Sequence, residues 1–219
     1  MDQKKVIKIA ITEDHKIVRK AIATFINGFG GFDILLNSVN GQDLIQQLGR
    51  MNELPDICVL DINMPKMNGF ETLDALRQKF PDIKVLILSM YENEQTIIKA
   101  FSKGARGYLL KDSEPLDLKQ ALISVYEGDL YHPDLKLSRF HARLKGRHEP
   151  SLPRISEKEM EFLPYCCTEL SLKEIAKEMG VALRTVQGYR DSLFDKLGMN
   201  TRAGLVIYAI TTGLVPMRY

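Results

Sequence analysis

Charged and polar side chains stand at the ends of four short apolar runs in the first half of this 219-residue chain. Glu13 and Asp14 follow the first run, Asp61 follows a second, Ser89 ends a third and Lys111 follows a fourth. Short apolar runs are typical of buried strands, and open α/β sheets bind ligands at the carboxyl ends of their strands. We therefore expect these five side chains to meet at one edge of a sheet.

The three carboxylates predict a bound divalent cation, because acidic groups held close together repel one another. Oxygen ligands with an open position for a phosphate suit Mg²⁺ better than zinc. Asp14 and Asp61 are the expected direct ligands, and Glu13 is expected to act through a water molecule. The backbone carbonyl of Asn63, in the turn after Asp61, would add another oxygen.

Phosphoryl transfer is the reaction that such a site would support, since Mg²⁺ neutralises charge on a phosphoryl group during in-line transfer. The Asp61 carboxylate would be the nucleophile and would become an acyl phosphate. Lys111 would hold one phosphoryl oxygen as a point charge, and Ser89 would donate a hydrogen bond to another. A single acid or hydroxyl after a strand is better explained as a helix N-cap or turn residue, but the joint placement favours the site.

The elements that must position these residues follow from the hydrophobic pattern of residues 1–130. Short apolar runs alternate with longer amphipathic segments, which predicts βα units and a parallel sheet covered on both faces. A strand order of 2-1-3-4-5 would set the ends of strands one and three side by side. The five strands are predicted near 6–12, 33–39, 56–60, 84–89 and 107–110.

The alternation stops near residue 131, and 131–153 is predicted to be a linker because it is polar and closes with Pro150 and Pro153. The formal charge of the whole chain is only +2, so the cations of residues 132–154 form a local patch. They would either contact phosphates or belong to a solvated linker. The cations are Lys136, Arg139, Arg143, Lys145, Arg147 and Arg154, with His132, His141 and His148 among them.

Residues 154–219 show helical periodicity only. Ser156 with Glu159, and Ser171 with Glu174, have the spacing of a capping box. The second and third helices, with a short glycine-containing turn between them, have the form of a helix-turn-helix. The four helices are predicted near 157–167, 171–178, 182–197 and 201–213.

The helix predicted at 182–197 has an apolar side, formed by Val186, Leu193 and Leu197, that would face the core. If this helix enters a major groove, residues on its other side would meet the base edges. The candidate DNA-contacting residues are Arg184, Thr185, Gln187, Gly188, Arg190 and Asp191.

Residues 6–128 resemble the receiver domain of bacterial two-component response regulators. The resemblance implies a flavodoxin-like fold, Mg²⁺ at the acid pair, phosphorylation of Asp61 by a sensor histidine kinase, and sensing of the phosphoryl group by Ser89 and Lys111. It also implies that Tyr108 is a switch whose ring turns inward on activation; the alternative is a ring that packs without switching. The matching residues are Glu13, Asp14, the turn 61–69, Ser89, Lys111 and Asp112.

Residues 154–215 resemble the LuxR-type helix-turn-helix of NarL/FixJ response regulators. The resemblance implies an all-α, four-helix domain that binds double-stranded promoter DNA as a dimer. Gln187 and Asp191 stand where cations are frequent, so we expect modest affinity for phosphates. The matching segments are 155–159, 173–176, 185–187, 196–198, 201–202 and 213–214.

The apolar runs, the N-terminus and the cysteine spacing indicate where the protein is expected to act and what its cysteines are expected to do. No apolar run approaches the roughly 20 residues that cross a bilayer, and the N-terminus lacks a signal peptide's long apolar region. A cytoplasmic protein without membrane attachment is therefore expected. Cys58, Cys166 and Cys167 lack metal-binding spacing, so we expect them to pack in the interior.

These observations predict a response regulator that controls transcription, with a receiver domain at 1–130, a linker at 131–153 and a helix-turn-helix domain at 154–219. Phosphorylation would favour a homodimer on DNA. The alternative is a phosphorylation-controlled signalling adaptor whose C-terminal domain binds protein. A Mg²⁺ phosphatase would need a second catalytic aspartate where Asn63 stands, so we expect no enzyme activity beyond phosphorylation and dephosphorylation of Asp61 itself.

Overall fold

A computed structural model describes residues 6–132, 154–212 and 214–215. These residues form two compact units, one from 6–92 and 103–131, the other from 93–102, 132 and 154–215. The predicted linker from residue 133 onward, with its basic patch up to Arg147, lies outside the described residues, as does Gly213.

The first unit contains a five-stranded parallel sheet in the order β2-β1-β3-β4-β5, so the predicted fold class and strand order are confirmed. Every residue of β3 is buried, as a strand covered on both faces requires. The strands are β1 Ile7–Thr12, β2 Phe32–Ser38, β3 Ile57–Leu60, β4 Lys84–Ser89 and β5 Gly107–Leu110.

The helices that join these strands begin and end at residues suited to those positions. The Asn40 side chain caps α2, and Asn68 forms a capping box with Glu71 at the start of α3. Gly128 ends α5 in the left-handed conformation. The helices are α1 Lys16–Phe29, α2 Gly41–Leu48, α3 Gly69–Lys79, α4 Glu94–Ser102 and α5 Pro115–Glu127. By its contacts, α4 groups with the second unit.

One apolar core lies between the sheet and the helices α1 and α5. The strands contribute alternating or continuous aliphatic side chains, and the two helices contribute residues at helical spacing. Its fully buried members include Ile9, Ile11, Val59, Leu86, Ile26, Leu122 and Val125. This packing fixes the strand ends, and therefore the polar residues that follow them.

The second unit contains α4 and four further helices of the described chain. Both predicted capping boxes are present, at Ser156–Glu159 and at Ser171–Glu174. Gly180 lies just after the helix Leu172–Glu178, and Gly198 lies just after the helix Leu183–Leu197. Both glycines adopt a positive φ angle of 65°. The helices are α6 Glu157–Cys166, α7 Leu172–Glu178, α8 Leu183–Leu197 and α9 Arg202–Thr211.

The predicted apolar side of α8 is confirmed, because Val186, Leu193 and Leu197 are buried. Cys58 and Cys166 are buried as expected, whereas Cys167 is half-buried. Burial raises the pKa of the Cys58 and Cys167 thiols to about 12, so both stay protonated and poorly nucleophilic at neutral pH. Within the residues that the structure covers, no helix is both long and apolar enough to cross a membrane.

Candidate functional site

Two acidic residues meet where the neighbouring strands β1 and β3 end. The parallel register pairs Thr12 with Leu60, so the residues that follow them leave the sheet side by side. The Asp61 backbone N–H donates to the Thr12 carbonyl at 3.0 Å, which fixes the start of the turn. Glu13 is 1% exposed and Asp61 is 5% exposed, so both carboxylates are held out of water.

Lys111 joins these two carboxylates from the end of β5. Its Nζ lies 2.6 Å from Glu13 Oε2 and 3.1 Å from Asp61 Oδ1. The Lys111 backbone N–H donates to the Ser89 carbonyl at 2.8 Å, because β4 and β5 pair in parallel up to Ser89 and Leu110. Residues that are 48 and 50 positions apart in the sequence thus form one charged cluster.

The charge balance at Asp61 is dominated by its burial. Burial raises the pKa of the Asp61 carboxyl, Lys111 lowers it, and the neighbouring Glu13 raises it again. Asp61 Oδ1 also accepts a hydrogen bond from the Ile62 backbone N–H at 2.8 Å. A further cation would keep this carboxylate ionised and reactive, since the single ammonium group of Lys111 is shared with Glu13.

A possible cation-binding group lies beside this cluster. A carboxylate oxygen of Asp14, a carboxylate oxygen of Glu13 and a ring nitrogen of His15 lie within 4.8 Å of one another. Among the described residues, Glu13 Oε2 and Asp14 Oδ1 are buried oxygens without a hydrogen bond of good geometry. Buried carboxylate oxygens of this kind fit a divalent cation, so the acid pair predicted from the sequence has the donors that a metal needs.

The turn between Asp61 and α3 folds back on the phosphoacceptor candidate. Gly69 N–H donates to the Ile62 carbonyl at 2.8 Å. A Cβ atom at Gly69 would lie 2.4 Å from the Asp61 carbonyl oxygen and 2.7 Å from Ile62 Cα. Because of these short distances, the turn depends on a glycine at position 69. The same turn contains Lys66 at a positive φ of 71°, which is costly for a residue with a side chain.

Asn63 contacts a residue that the sequence analysis missed. Its side-chain amide donates to the Tyr91 hydroxyl at 2.6 Å, from an exposed position in the turn. Tyr91 is 43% exposed and lies just beyond β4. This hydrogen bond involves only the side chain of Asn63. It does not involve the backbone carbonyl of Asn63, which is the predicted metal ligand.

Ser89 and Tyr108 are linked through the backbone of Tyr91. The Tyr91 N–H donates to Ser89 Oγ at 3.1 Å, and the Tyr108 hydroxyl donates to the Tyr91 carbonyl at 2.6 Å. Tyr108 is 1% exposed, and burial raises the pKa of its phenol. The ring that the resemblance marks as a switch therefore points inward, against the segment that follows Ser89.

The candidate DNA-contacting residues lie along α8. Arg184, Thr185, Gly188 and Asp191 are exposed, whereas Gln187 and Arg190 are half-buried. The Arg190 guanidinium contacts Asp191 Oδ1 at 2.7 Å and lies over the Phe194 ring, with 5.9 Å to its centre. The positive charge of Arg190 and the negative charge of Asp191 therefore offset one another among the candidate DNA-contacting residues.

Comparison with protein families gives the class of the chain. A family model for the response regulator receiver domain matches residues 9–123, and a model for bacterial regulatory proteins of the luxR family matches residues 153–209. The chain therefore belongs to the response regulators, with a receiver domain followed by a LuxR-type domain. The family membership predicted from the sequence is confirmed.

Curated relatives match over nearly the whole chain. The transcriptional regulatory protein LnrK of Bacillus subtilis (strain 168) is 30% identical over 218 residues, covering 95% of this chain and 98% of LnrK. The oxygen regulatory protein NreC of Staphylococcus haemolyticus (strain JCSC1435) is 28% identical over 218 residues, covering 95% and 99%. A crystal structure of a LuxR-family two-component response regulator from Aurantimonas sp. SI85-9A1 is similar over 63% of this chain and 97% of its own, with 28% identity and a TM-score of 0.55.

Proposed function

We propose that Asp61 accepts a phosphoryl group from a sensor histidine kinase and that this modification controls DNA binding by the C-terminal domain. The observation that carries the proposal is the convergence of Glu13, Asp61 and Lys111 in one buried cluster. A carboxylate can accept a phosphoryl group as a nucleophile, and a lysine and a cation-binding acid beside it would stabilise the transferred charge.

Mg²⁺ is the cation proposed for this site. Asp14 and Asp61 would hold it directly with the backbone carbonyl of Asn63, and Glu13 would act through water. When bound, Mg²⁺ supplies positive charge for the oxygens of the transferring phosphoryl group. The buried Glu13 and Asp14 oxygens that lack good hydrogen bonds support this assignment.

Lys111 and Ser89 would bind the oxygens of the phosphoryl group, and Ser89 would pass the change on to Tyr108. Lys111 shares its ammonium group between two carboxylates, and it would turn to a phosphoryl oxygen once Asp61 carries one. Ser89 would then donate its hydroxyl hydrogen to another phosphoryl oxygen. Because Ser89 Oγ accepts from the Tyr91 N–H, this rearrangement would also shift the carbonyl that holds Tyr108.

The proposed output is a homodimer that binds promoter DNA through α8. The exposure of Arg184, Thr185 and Gly188 supports a face that is open to a major groove. The paired Arg190 and Asp191 indicate that α8 alone supplies little net positive charge, so affinity would depend on dimerisation. The protein would act in the cytoplasm, with no enzyme activity beyond phosphorylation and dephosphorylation of Asp61.

The phosphoacceptor is tested by incubating the full-length protein with acetyl phosphate and Mg²⁺ and following phosphate incorporation by intact mass spectrometry. Asp61→Asn should abolish incorporation, because an amide cannot form the acyl phosphate. Asp112→Asn is the matched control, since it removes an exposed carboxylate next to Lys111 and should retain incorporation. Incorporation into Asp61→Asn at the wild-type rate would show that the assignment is wrong.

The output is tested by fluorescence polarisation with genomic DNA fragments at low and at physiological salt. The phosphorylated protein should bind more tightly than the unphosphorylated protein, and its affinity should fall with rising salt as phosphate contacts are screened. Phosphorylation without any salt-sensitive DNA binding would favour the signalling adaptor, whose C-terminal domain binds protein.

A further inference from the structure

We propose that Arg19 is a positioning residue, which fixes the turn that carries the acid pair by binding the backbone carbonyls of that turn. The inference rests on the proposed function, because Glu13 and Asp14 are the acids assigned to Mg²⁺. It goes further, since it gives a role to a side chain of α1 that neither accepts the phosphoryl group nor binds the metal.

The Arg19 side chain reaches back from the start of α1 to the end of β1. Its Nη1 donates to the Glu13 carbonyl oxygen and, at 3.4 Å, to the Asp14 carbonyl oxygen. Arg19 is half-buried, so these bonds are partly shielded from water. Hydrogen bonds from a charged donor are roughly twice as strong as those between neutral groups. One guanidinium nitrogen therefore holds the two consecutive carbonyl groups of the acid pair.

The helix that follows the acid pair begins without a side-chain cap. His15 occupies the N-cap position of α1, but its side chain makes no capping hydrogen bond. In α2 and α3, by contrast, the side chains of Asn40 and Asn68 fix the entry of the chain into the helix. At α1 the restraint on the entering chain comes from within the helix, through the bonds of Arg19 to the preceding turn.

The guanidinium holds the turn without competing for the carboxylates. In the part of the chain that the structure describes, Arg19 makes no ion pair with Glu13 or Asp14, whose ionic partners are Lys111 and His15. The His15 backbone N–H donates to Glu13 Oε1 at 3.1 Å, so the backbone of the turn is coupled to a carboxylate oxygen. A shift of the turn would therefore move the carboxylates that are assigned to the cation.

Arg19 has two physical effects on Mg²⁺ binding, and they have opposite signs. Residues that orient metal ligands through hydrogen bonds typically contribute roughly 10–100-fold to metal affinity. A positive charge close to the site, acting alone, would instead repel the dication and weaken its binding. Orientation dominates here, because Arg19 bonds directly to the backbone of the acid pair and Mg²⁺ demands near-ideal octahedral geometry. Loss of the guanidinium therefore weakens Mg²⁺ binding, whereas a purely electrostatic role would make binding tighter.

The direct test is calorimetric titration of the unphosphorylated full-length protein with Mg²⁺. Arg19→Met keeps an unbranched stem, removes the donors and should bind Mg²⁺ about tenfold more weakly than the wild type. Lys20→Met is the matched control, because it removes an exposed cation from the same helix, and its affinity should stay within about twofold of the wild type. Unchanged or tighter Mg²⁺ binding by Arg19→Met overturns the inference.

Phosphate incorporation from acetyl phosphate separates positioning from a general loss of structure. Arg19→Met should need about tenfold more Mg²⁺ for its half-maximal rate, and its rate at saturating Mg²⁺ should lie within about twofold of the wild type. A merely structural role would lower the rate at saturating Mg²⁺ and leave the Mg²⁺ requirement unchanged. That result would also overturn the inference.

Amide hydrogen exchange in the metal-free protein reports on the turn itself. In Arg19→Met the His15 N–H should exchange faster, while the amides of β3 should exchange as in the wild type. Equal exchange of the His15 N–H in both proteins would contradict the role of Arg19.

Asp61→Asn separates this inference from the proposed function. Phosphate incorporation by Asp61→Asn at the wild-type rate would overturn the proposed function. Wild-type Mg²⁺ affinity in an Arg19→Met protein that still phosphorylates Asp61 would overturn only the role of Arg19, and a wild type that binds no Mg²⁺ would overturn both.

Discussion

Nζ of Lys111 lies 3.1 Å from Oδ1 of Asp61, and both side chains are largely withdrawn from solvent. The same ammonium group neutralises Glu13, so one cation holds two buried carboxylates together. Removing one partner of such a cluster leaves uncompensated buried charge, which is far more costly than losing a surface ion pair.

Lys111→Met should therefore destabilise the protein by about 3–5 kcal/mol in metal-free buffer at neutral pH. Saturating Mg²⁺ should restore more stability to this variant than to the wild type, because the metal replaces the missing positive charge. Urea unfolding with EDTA and with Mg²⁺ measures both effects. Lys103→Met is the matched control, since it removes an ion pair with Asp74 that is only partly buried and worth about 1 kcal/mol or less. Equal losses in the two variants would contradict the buried-cluster explanation.

The turn after Asp61 gives a second prediction. A Cβ at Gly69 would lie 2.4 Å from the Asp61 carbonyl oxygen, and backbone atoms cannot yield as a flexible side chain does. Gly69→Ala should displace the turn, destabilise the protein by a few kcal/mol and slow phosphate incorporation. Gly28→Ala in α1 is the control, because nothing lies within 4 Å of its Cβ position. It should add about 0.5–1 kcal/mol of stability and leave incorporation unchanged. Normal incorporation by Gly69→Ala would show that the turn tolerates the side chain.

The sheet and the acidic cluster were predictable because they depend on patterns that the sequence carries. Strand β3 must be apolar throughout when both faces are covered, so the position of Asp61 after it follows directly. The parallel order then brings Glu13 and Lys111 to the same edge. Residue type and strand-end position suffice for these inferences, and no side-chain conformation is needed.

The contacts that were missed depend on conformation rather than pattern. Tyr91 meets Asn63 across 28 residues because two loops converge, and no periodicity reports that. The pairing of Arg190 with Asp191 depends on the choice of rotamer on an exposed helix face.

The pH dependence of the second unit should depend on Glu159. This carboxylate is 4% exposed, and burial alone would raise its pKa, but hydrogen bonds from Lys196, Ser192 and Ser156 outweigh burial and lower the pKa from 4.5 to about 2. A lowered folded-state pKa stabilises the fold above the unfolded value. That stability is fully present above pH 4.5 and is lost as the pH falls towards 2.

Glu159→Gln should cost about 1–2 kcal/mol at neutral pH, after allowance for solvent screening at the partly exposed Lys196. It should also flatten the acid dependence between pH 4.5 and 2. Amide hydrogen exchange in the helices α6 to α9 of the full-length protein measures the local free energy of opening. Glu161→Gln removes an exposed ion pair with Lys158 and should change this free energy by less than about 0.5 kcal/mol. A variant of Glu159 that keeps the wild-type acid dependence would assign that dependence to other groups.

Gly188 is the residue of α8 for which stability and recognition make opposite demands. It lies exposed within the helix, and nothing lies within 4 Å of its Cβ position. Gly188→Ala should therefore stabilise the protein by about 1 kcal/mol, because alanine is the better helix former. A glycine retained at this cost is explained if the DNA backbone approaches the helix closely, since a methyl group would then be in the way.

We expect Gly188→Ala to bind DNA about tenfold more weakly, a loss of about 1.4 kcal/mol, even though it unfolds at higher urea concentration. Fluorescence polarisation with the phosphorylated protein measures the affinity, and Gly28→Ala is again the control, because it adds similar stability at a site outside α8. Unchanged DNA affinity in Gly188→Ala would show that α8 does not approach DNA at this residue. The candidate contacts would then reduce to side chains, and alanine substitutions tested one by one would show which of them weaken binding. These are Arg184, Thr185, Gln187, Arg190 and Asp191.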